Sequence, residues 1–335
     1  MERQYSKLPR RRTIMTTRTD RKWMAALLGA AFILAFVAAP ALAEEKFQEK
    51  FEKTEALAKN GKLYLNNVSG QIEVMTWKEA QVKIEAVKTS KAATLAKAKE
   101  NAALVTIEVS KEADLVRVET KYPKRSGGFW GGDSISVSID YKVWVPEQAA
   151  VELRSVSGDV MVAPIGGKAK IGCVSGDVDL RGAAGADVDL VSGELTLENI
   201  AGDAYLKAVS GNIKATGVKG SIEVEAVSGD IDLRDVSEAQ TVSAKSVSGR
   251  ITYSGKIKAG GRYELKAHSG DVRMTIPADS AFDFEANTFS GDIDSDFEIQ
   301  VVGKISPREI RGTVGKGGAT VKLKSFSGSI DLKKR

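Results

Sequence analysis

The chain is 335 residues long, with 32 glycines, 7 prolines, 42% hydrophobic and 6% aromatic residues, and a formal charge of +5. Eight basic and two acidic side chains among the first 43 residues hold +6 of that charge and leave −1 from Glu44 onward, which excludes the basic footprint of a nucleic-acid binder. Cys173 is the only cysteine, so no intramolecular disulfide can form and stability must come from packing and backbone pairing.

In chain order, a basic stretch ending at Lys22 leads into an apolar run from Trp23 to Ala39, and Ala41-Leu42-Ala43 supplies a small-x-small cleavage pattern. Residues 1–43 therefore read as a secretory signal peptide cleaved after Ala43, which implies a periplasmic or extracellular location. Met15 lies at a more usual distance from the apolar run for a start. Arg10 to Arg12 stand too far from that run for a twin-arginine signal. An uncleaved anchor is the structural alternative, although the run is marginal for a bilayer span. The absence of a cysteine after it excludes a lipoprotein anchor.

From Glu44 to Ala150 the pattern is less regular. Gly61 to Trp77 carries one copy of a repeat, Gln81 to Val87 reads as a strand, and the Lys/Ala-rich Ser90 to Ala102 reads as a helix. Strands are predicted at Leu104 to Val109, Leu115 to Lys121 and Ser134 to Val145, and the region is expected to start or cap a repeat array in the second half of the chain. Ser126 to Asp133, SGGFWGGD, sets Phe129 and Trp130 on a glycine-flanked loop. Two readings stand for this pair: contact with a glycan or protein partner, or folding back to cover an end.

From Val151 onward the triplet Val-Ser-Gly dominates, with copies at Ser155, Cys173, Leu190, Ala208, Ala226, Ser246, Ala267, Thr288 and Ser325. Gly158, Gly176, Gly193, Gly211 and Gly229 lie 18, 17, 18 and 18 residues apart, and Gly167, Gly185, Gly202 and Gly220 mark the half-periods. A fixed short period means a stacked array. Nine residues hold one strand and a tight corner, so about eighteen make a coil, and coils stack in parallel at roughly 4.8 Å. The expected fold is all-β, a parallel β-solenoid with regular coils over 151–335. Strict alternation puts Val156, Gly158, Val160 and Val162 on the aliphatic face, and Ser157, Asp159 and Met161 opposite; Val227 and Gly229 follow the same rule. Lys333, Lys334 and Arg335 at the chain end are expected to discourage edge pairing.

The segments GKLYLNNVSGQIEVMTW, SIDYKVWVP (Ser138 to Pro146) and IRGTVGKGGATVKLKSFSGSIDL, together with the VSGD array, resemble the bacterial β-strand repeat family labelled as candidate adhesins, a domain of unknown function related to autotransporter-adhesin heads. The resemblance covers nearly the whole chain after the leader. It implies a right-handed parallel β-helix and says little about activity.

Four constellations invite chemistry. The column Asp159, Asp177, Glu194, Asn212, Asp230, Arg250, Asp271 and Asp292 suggests a cation ladder. Asn212 and Arg250 interrupt it and the calcium β-roll pattern is missing, which favours solvated acids near a turn, so no metal or cofactor is expected. The serines Ser157, Ser175, Ser192, Ser210, Ser228, Ser248, Ser269 and Ser290 would need a base to act as nucleophiles. The one histidine, His268, takes a valine slot and reads as a core or corner residue. Gly312 to Gly317 lacks the spacing and the following Ser/Thr of a phosphate loop and reads as a turn. The expectation is a non-catalytic, adhesin-like or envelope-associated scaffold that binds through its surface. Alternatives are a carbohydrate-active β-helix and a self-assembling envelope element. A cell-envelope glycan or protein is the expected kind of partner, and contact with membrane is confined to the signal segment.

Overall fold

The computed structural model describes residues 44–123, 135–302 and 306–335. The signal segment and the pair Phe129 and Trp130 lie outside them. The described chain is all-β apart from one helix, with a 13-stranded and a 14-stranded sheet built mainly of parallel strands.

Each regular coil sends one strand into the 14-stranded sheet, turns at a Val-Ser-Gly corner, and sends the next strand into the 13-stranded sheet. Ala169 to Cys173 pairs with Val151 to Ser155 on one side and Ala186 to Leu190 on the other, in parallel register. Inward side chains such as Leu153, Ile171, Val188, Leu206 and Val224 from one sheet, and Val160, Leu180, Leu197 and Ile231 from the other, join one buried aliphatic cluster. Each contributes about 1.5–3 kcal/mol by leaving water.

The corner breaks the alternation. Ser155 is buried, Val156 and Ser157 are both exposed, and burial resumes at Val160. The inward placement of Val156 and Val227 is therefore corrected: they are 47% and 50% exposed. Parity can be counted only along continuous extended backbone, and the corner glycine, at φ +136° in Gly158, resets it. The residue before the valine takes the inward place, as Ser155, Cys173, Leu190, Ala208 and Ala226 do.

Coil order at both ends departs from chain order. Serine pairs with serine from coil to coil in the sequence Ser69, Ser157, Ser175, Ser192, Ser210, Ser228, Ser248, Ser269, Ser327, Ser290. The C-terminal coil thus sits inside the one that precedes it in the chain. At the other end Lys62–Ser69 lies between Ala150–Ser157 and Leu115–Lys121, although the latter follows it in the chain. The expected role of the terminal basic residues is corrected with this. The strand Ile330–Lys334 is flanked by Val272–Ile276 and Ile293–Ser295, so Lys333 and Arg335 meet Asp296 and Asp235 rather than guarding an edge.

Antiparallel strands close most of the outer edges. Glu45–Ala56 and Gln81–Ala92 cover the first end of the 13-stranded sheet, and Thr106–Glu112 that of the 14-stranded one. At the far end Glu309–Val314 and Gln300–Val301 do the same for the 14-stranded sheet. The outermost strand beside Ile330–Lys334 is only three residues long, Ile293–Ser295, and a short edge offers little to a foreign strand. The helix runs Leu95–Ala103, capped by the Thr94 hydroxyl accepting from the Lys97 amide, and not from Ser90. Ser90 to Ala92 instead complete the strand paired with Glu45 to Phe47, because a full antiparallel ladder outweighs the modest helix propensity of Lys and Ala.

Candidate ligand-binding surface

Every Val-Ser-Gly corner is built by the same backbone contacts. The amide of Gly158 donates to the carbonyl of Ser175 at 2.9 Å, and that of Val160 to Asp177 at 2.8 Å, one coil further on. At Gly176 (φ +134°) and Gly211 (φ +145°) an added Cβ would overlap the carbonyl of the preceding corner glycine, so only glycine allows the corners to stack.

The acidic column completes the corner. A side-chain oxygen of Asp159 accepts from the Asp177 amide at 2.9 Å, Asp177 from Glu194 at 2.7 Å, Asn212 from Asp230 at 2.9 Å, Asp230 from Arg250 at 2.8 Å, and Asp271 from Ser329 at 3.0 Å. This explains why asparagine serves among the aspartates: an acceptor oxygen is needed, and a charge is not. Among the described residues no cluster of three or more His, Cys, Asp or Glu is placed to hold a metal ion.

The serine column is exposed alongside it. The His268 ring stacks on Phe326 with centroids 5.0 Å apart and planes 10° from parallel, so it occupies an exposed corner rather than the core. Gly312 to Gly317 spans the end of the strand Glu309–Val314 and a tight turn closed by the Gly317 amide on the Val314 carbonyl at 3.2 Å. Cys173 is buried, and loss of solvation pushes its thiol above the ordinary range.

What sequence reasoning missed is the face presented by the valines. Val156, Val174, Val191, Val209, Val227 and Val247 are each between 43% and 51% exposed, and His268, Phe326 (50%) and Phe289 (64%) continue the column over the next three coils. Phe289 stacks on Phe326 at 4.8 Å and 1°. The column is a continuous ridge along the stacking direction, apolar except at His268, and such ladders mark contact surfaces more often than scattered exposed residues do. Beside it runs a groove of about 670 Å³ bounded by the ridge from Val209 to Phe289 and, across from it, by Lys207, Glu225, Lys245, Lys266, Lys324 and Asn287. The signal was present in the sequence as the valine of the repeat itself; carrying strict alternation through the corner hid it.

A family model matches residues 60–333, which hold the whole of the repeat array. The chain belongs to the Toastrack DUF4097 family. Solved structures similar to this Toastrack chain include a candidate cell adhesion protein from Clostridium sporogenes, with 10% identity over 86% of this chain and all of that one and a TM-score of 0.25. A candidate adhesin from Parabacteroides distasonis has 15% identity over 86% and 97% of the two chains and a TM-score of 0.41. A third, from the same species and named as a candidate lipid binding protein, has 10% identity over 85% and 97% and a TM-score of 0.33. No curated protein matches the chain.

Proposed function

We propose that this Toastrack protein is a non-catalytic, adhesin-like scaffold of the bacterial envelope that binds through its surface. The observation that carries the reading is the exposed ridge from Val156 to Phe289, apolar except at His268, which runs from coil to coil along the outer face. A chain that only needed to stack would place threonine or serine there at no cost to its core, since these positions lie outside it. In this reading the coils hold about eighteen residues each, as the period implies, and wind right-handed, as the family resemblance implies, and the leader delivers the chain to the periplasm or beyond.

The test uses the chain from Glu44 and a Val209→Ser, Val227→Ser, Val247→Ser variant, each mixed with isolated envelope fractions. Wild-type protein should sediment with envelope material and the variant should stay in the supernatant while retaining the wild-type melting temperature. Equal retention of both proteins, or release of reducing ends from envelope polysaccharide, would refute the reading.

A further inference from the structure

The groove beside the ridge is unequal along its length. Lys245, Lys266 and Lys324 stand on three consecutive coils, next to the stacked His268, Phe326 and Phe289. Toward the other end Lys207 faces Glu225 at 3.9 Å, and the ridge there is plain valine. Glutamates partly neutralise the three lysines, with Glu225 3.2 Å from Lys245, Glu264 2.5 Å from Lys266 and Glu285 3.4 Å from Lys324. Their side chains nonetheless remain 44%, 41% and 40% exposed. The coils from Val209 to Phe289 span five strand spacings, roughly 24 Å. One end therefore offers positive charge beside aromatic rings, and the other offers an apolar track.

The floor is equally informative. The strands beneath the groove are interior strands of the 14-stranded sheet, with partners on both sides, so their backbone groups are already committed. A peptide or a sugar laid here would lose water from its own polar groups and find few replacements, whereas an alkyl chain has none to lose. A flat anionic bilayer fits poorly too, because Asp230, Asp271 and Asp292 follow the ridge by three residues in their coils and would be pressed against the headgroups. A single chain lying in the groove meets four lysines and one carboxylate, Glu225, which stands toward the valine end and away from Lys266 and Lys324. The volume also falls within the range of small-molecule sites.

We propose that the groove binds a single-chain anionic amphiphile, its headgroup between Lys266 and Lys324 beside the aromatic stack and its alkyl chain along Val247, Val227 and Val209. The proposal rests on the ridge being a binding surface and adds the class of ligand. Dodecanoate, titrated calorimetrically into the chain from Glu44 below its micellar concentration, should bind saturably at one per chain. Dodecyltrimethylammonium, with the same tail and opposite charge, should bind at least about tenfold more weakly, a difference of about 1.4 kcal/mol. Lys266→Gln with Lys324→Gln should remove that preference, and Val227→Ser should weaken both ligands, with melting temperatures unchanged because all three positions lie outside the core.

Equal affinity for the two amphiphiles, or full dodecanoate binding by the double Gln variant, would overturn the proposal. So would binding to phosphatidylglycerol vesicles without binding to monomeric dodecanoate, or ridge-dependent dimerisation in sedimentation velocity without it. If ridge-dependent envelope retention persists while dodecanoate fails to bind, the ligand class is wrong and the surface-binding reading stands.

Discussion

The rings of Phe289 and Phe326 lie 4.8 Å apart and 1° from parallel, although the coil carrying Phe326 is the last in the chain and the one carrying Phe289 is the last in space. That stack reports the central topological fact of the molecule: the C-terminal coil is inserted between Arg262–Ile276 and Phe282–Ser295 and completes the array from within.

Removal of residues 319–335 should therefore act as an internal deletion. It would strip the pairing from both neighbouring coils and expose the apolar core at Leu265, Val272 and Phe284, and we expect an aggregating product without a cooperative melt by circular dichroism. Removal of 44–56 takes away only an outer antiparallel strand, most of whose residues are exposed, and should leave a cooperative transition.

Gly211→Ala combines a positive φ with overlap of the Gly193 carbonyl and should cost about 2–4 kcal/mol. Gly172 is the control: it lies in the strand Lys168–Ser175 with open space where a Cβ would go, so Gly172→Ala should be neutral or stabilising by about 0.5 kcal/mol. Urea titrations of the two variants separate corner glycines from incidental ones.

Asp177→Ala should cost about 0.5–1.5 kcal/mol through the unpaired Glu194 amide, while Asp177→Asn should cost little. Because the column works as an acceptor for backbone amides, excess chelator should leave the melting temperature unchanged. A drop of several degrees on chelation would restore the cation-ladder reading.

Ser246 occupies the buried position before the corner valine, between Ala226 and Ala267, and its hydroxyl has no hydrogen-bond partner. Ser246→Ala should raise stability by about 1 kcal/mol, measured by chemical denaturation, because it removes a desolvated polar group without opening a cavity.

Tyr141 is buried against Thr120, whose hydroxyl lies 2.7 Å away, and loss of solvation pushes the phenol up to about 12 from an ordinary 10.0. A raised acid favours the folded state while it stays protonated. The benefit is complete below pH 10 and fades as pH climbs through about 12, amounting to about 2–3 kcal/mol for this group. Tyr253 and Tyr263, also raised by burial, add to the same slope. Melting temperature should fall steeply above pH 10, and Tyr141→Phe should flatten part of that fall.

The eighteen-residue recurrence and the β-branched content made the parallel array legible in the sequence, because a strand's in-out code is local and repeats wherever the residues do. The strand Leu115–Lys121 could be read residue for residue. The helix start was misplaced because pairing of Ser90 to Ala92 with Glu45 to Phe47 is a contact between distant residues. Which way Val156 points was beyond reach for a different reason: it depends on the φ of a corner glycine, and one left-handed residue shifts all later parity.

The amino-acid sequence by itself thus determined the period, the class of fold and which residues could serve as core. Only the tertiary structure decided the order of the coils at both ends, and with it the assembly of His268, Phe326 and Phe289 into one stack beside the lysines. Repeats that carry the same local code offer nearly equivalent edges to one another. The choice among them is made by the antiparallel strands and returns at the ends, where distant segments compete for the same hydrogen bonds.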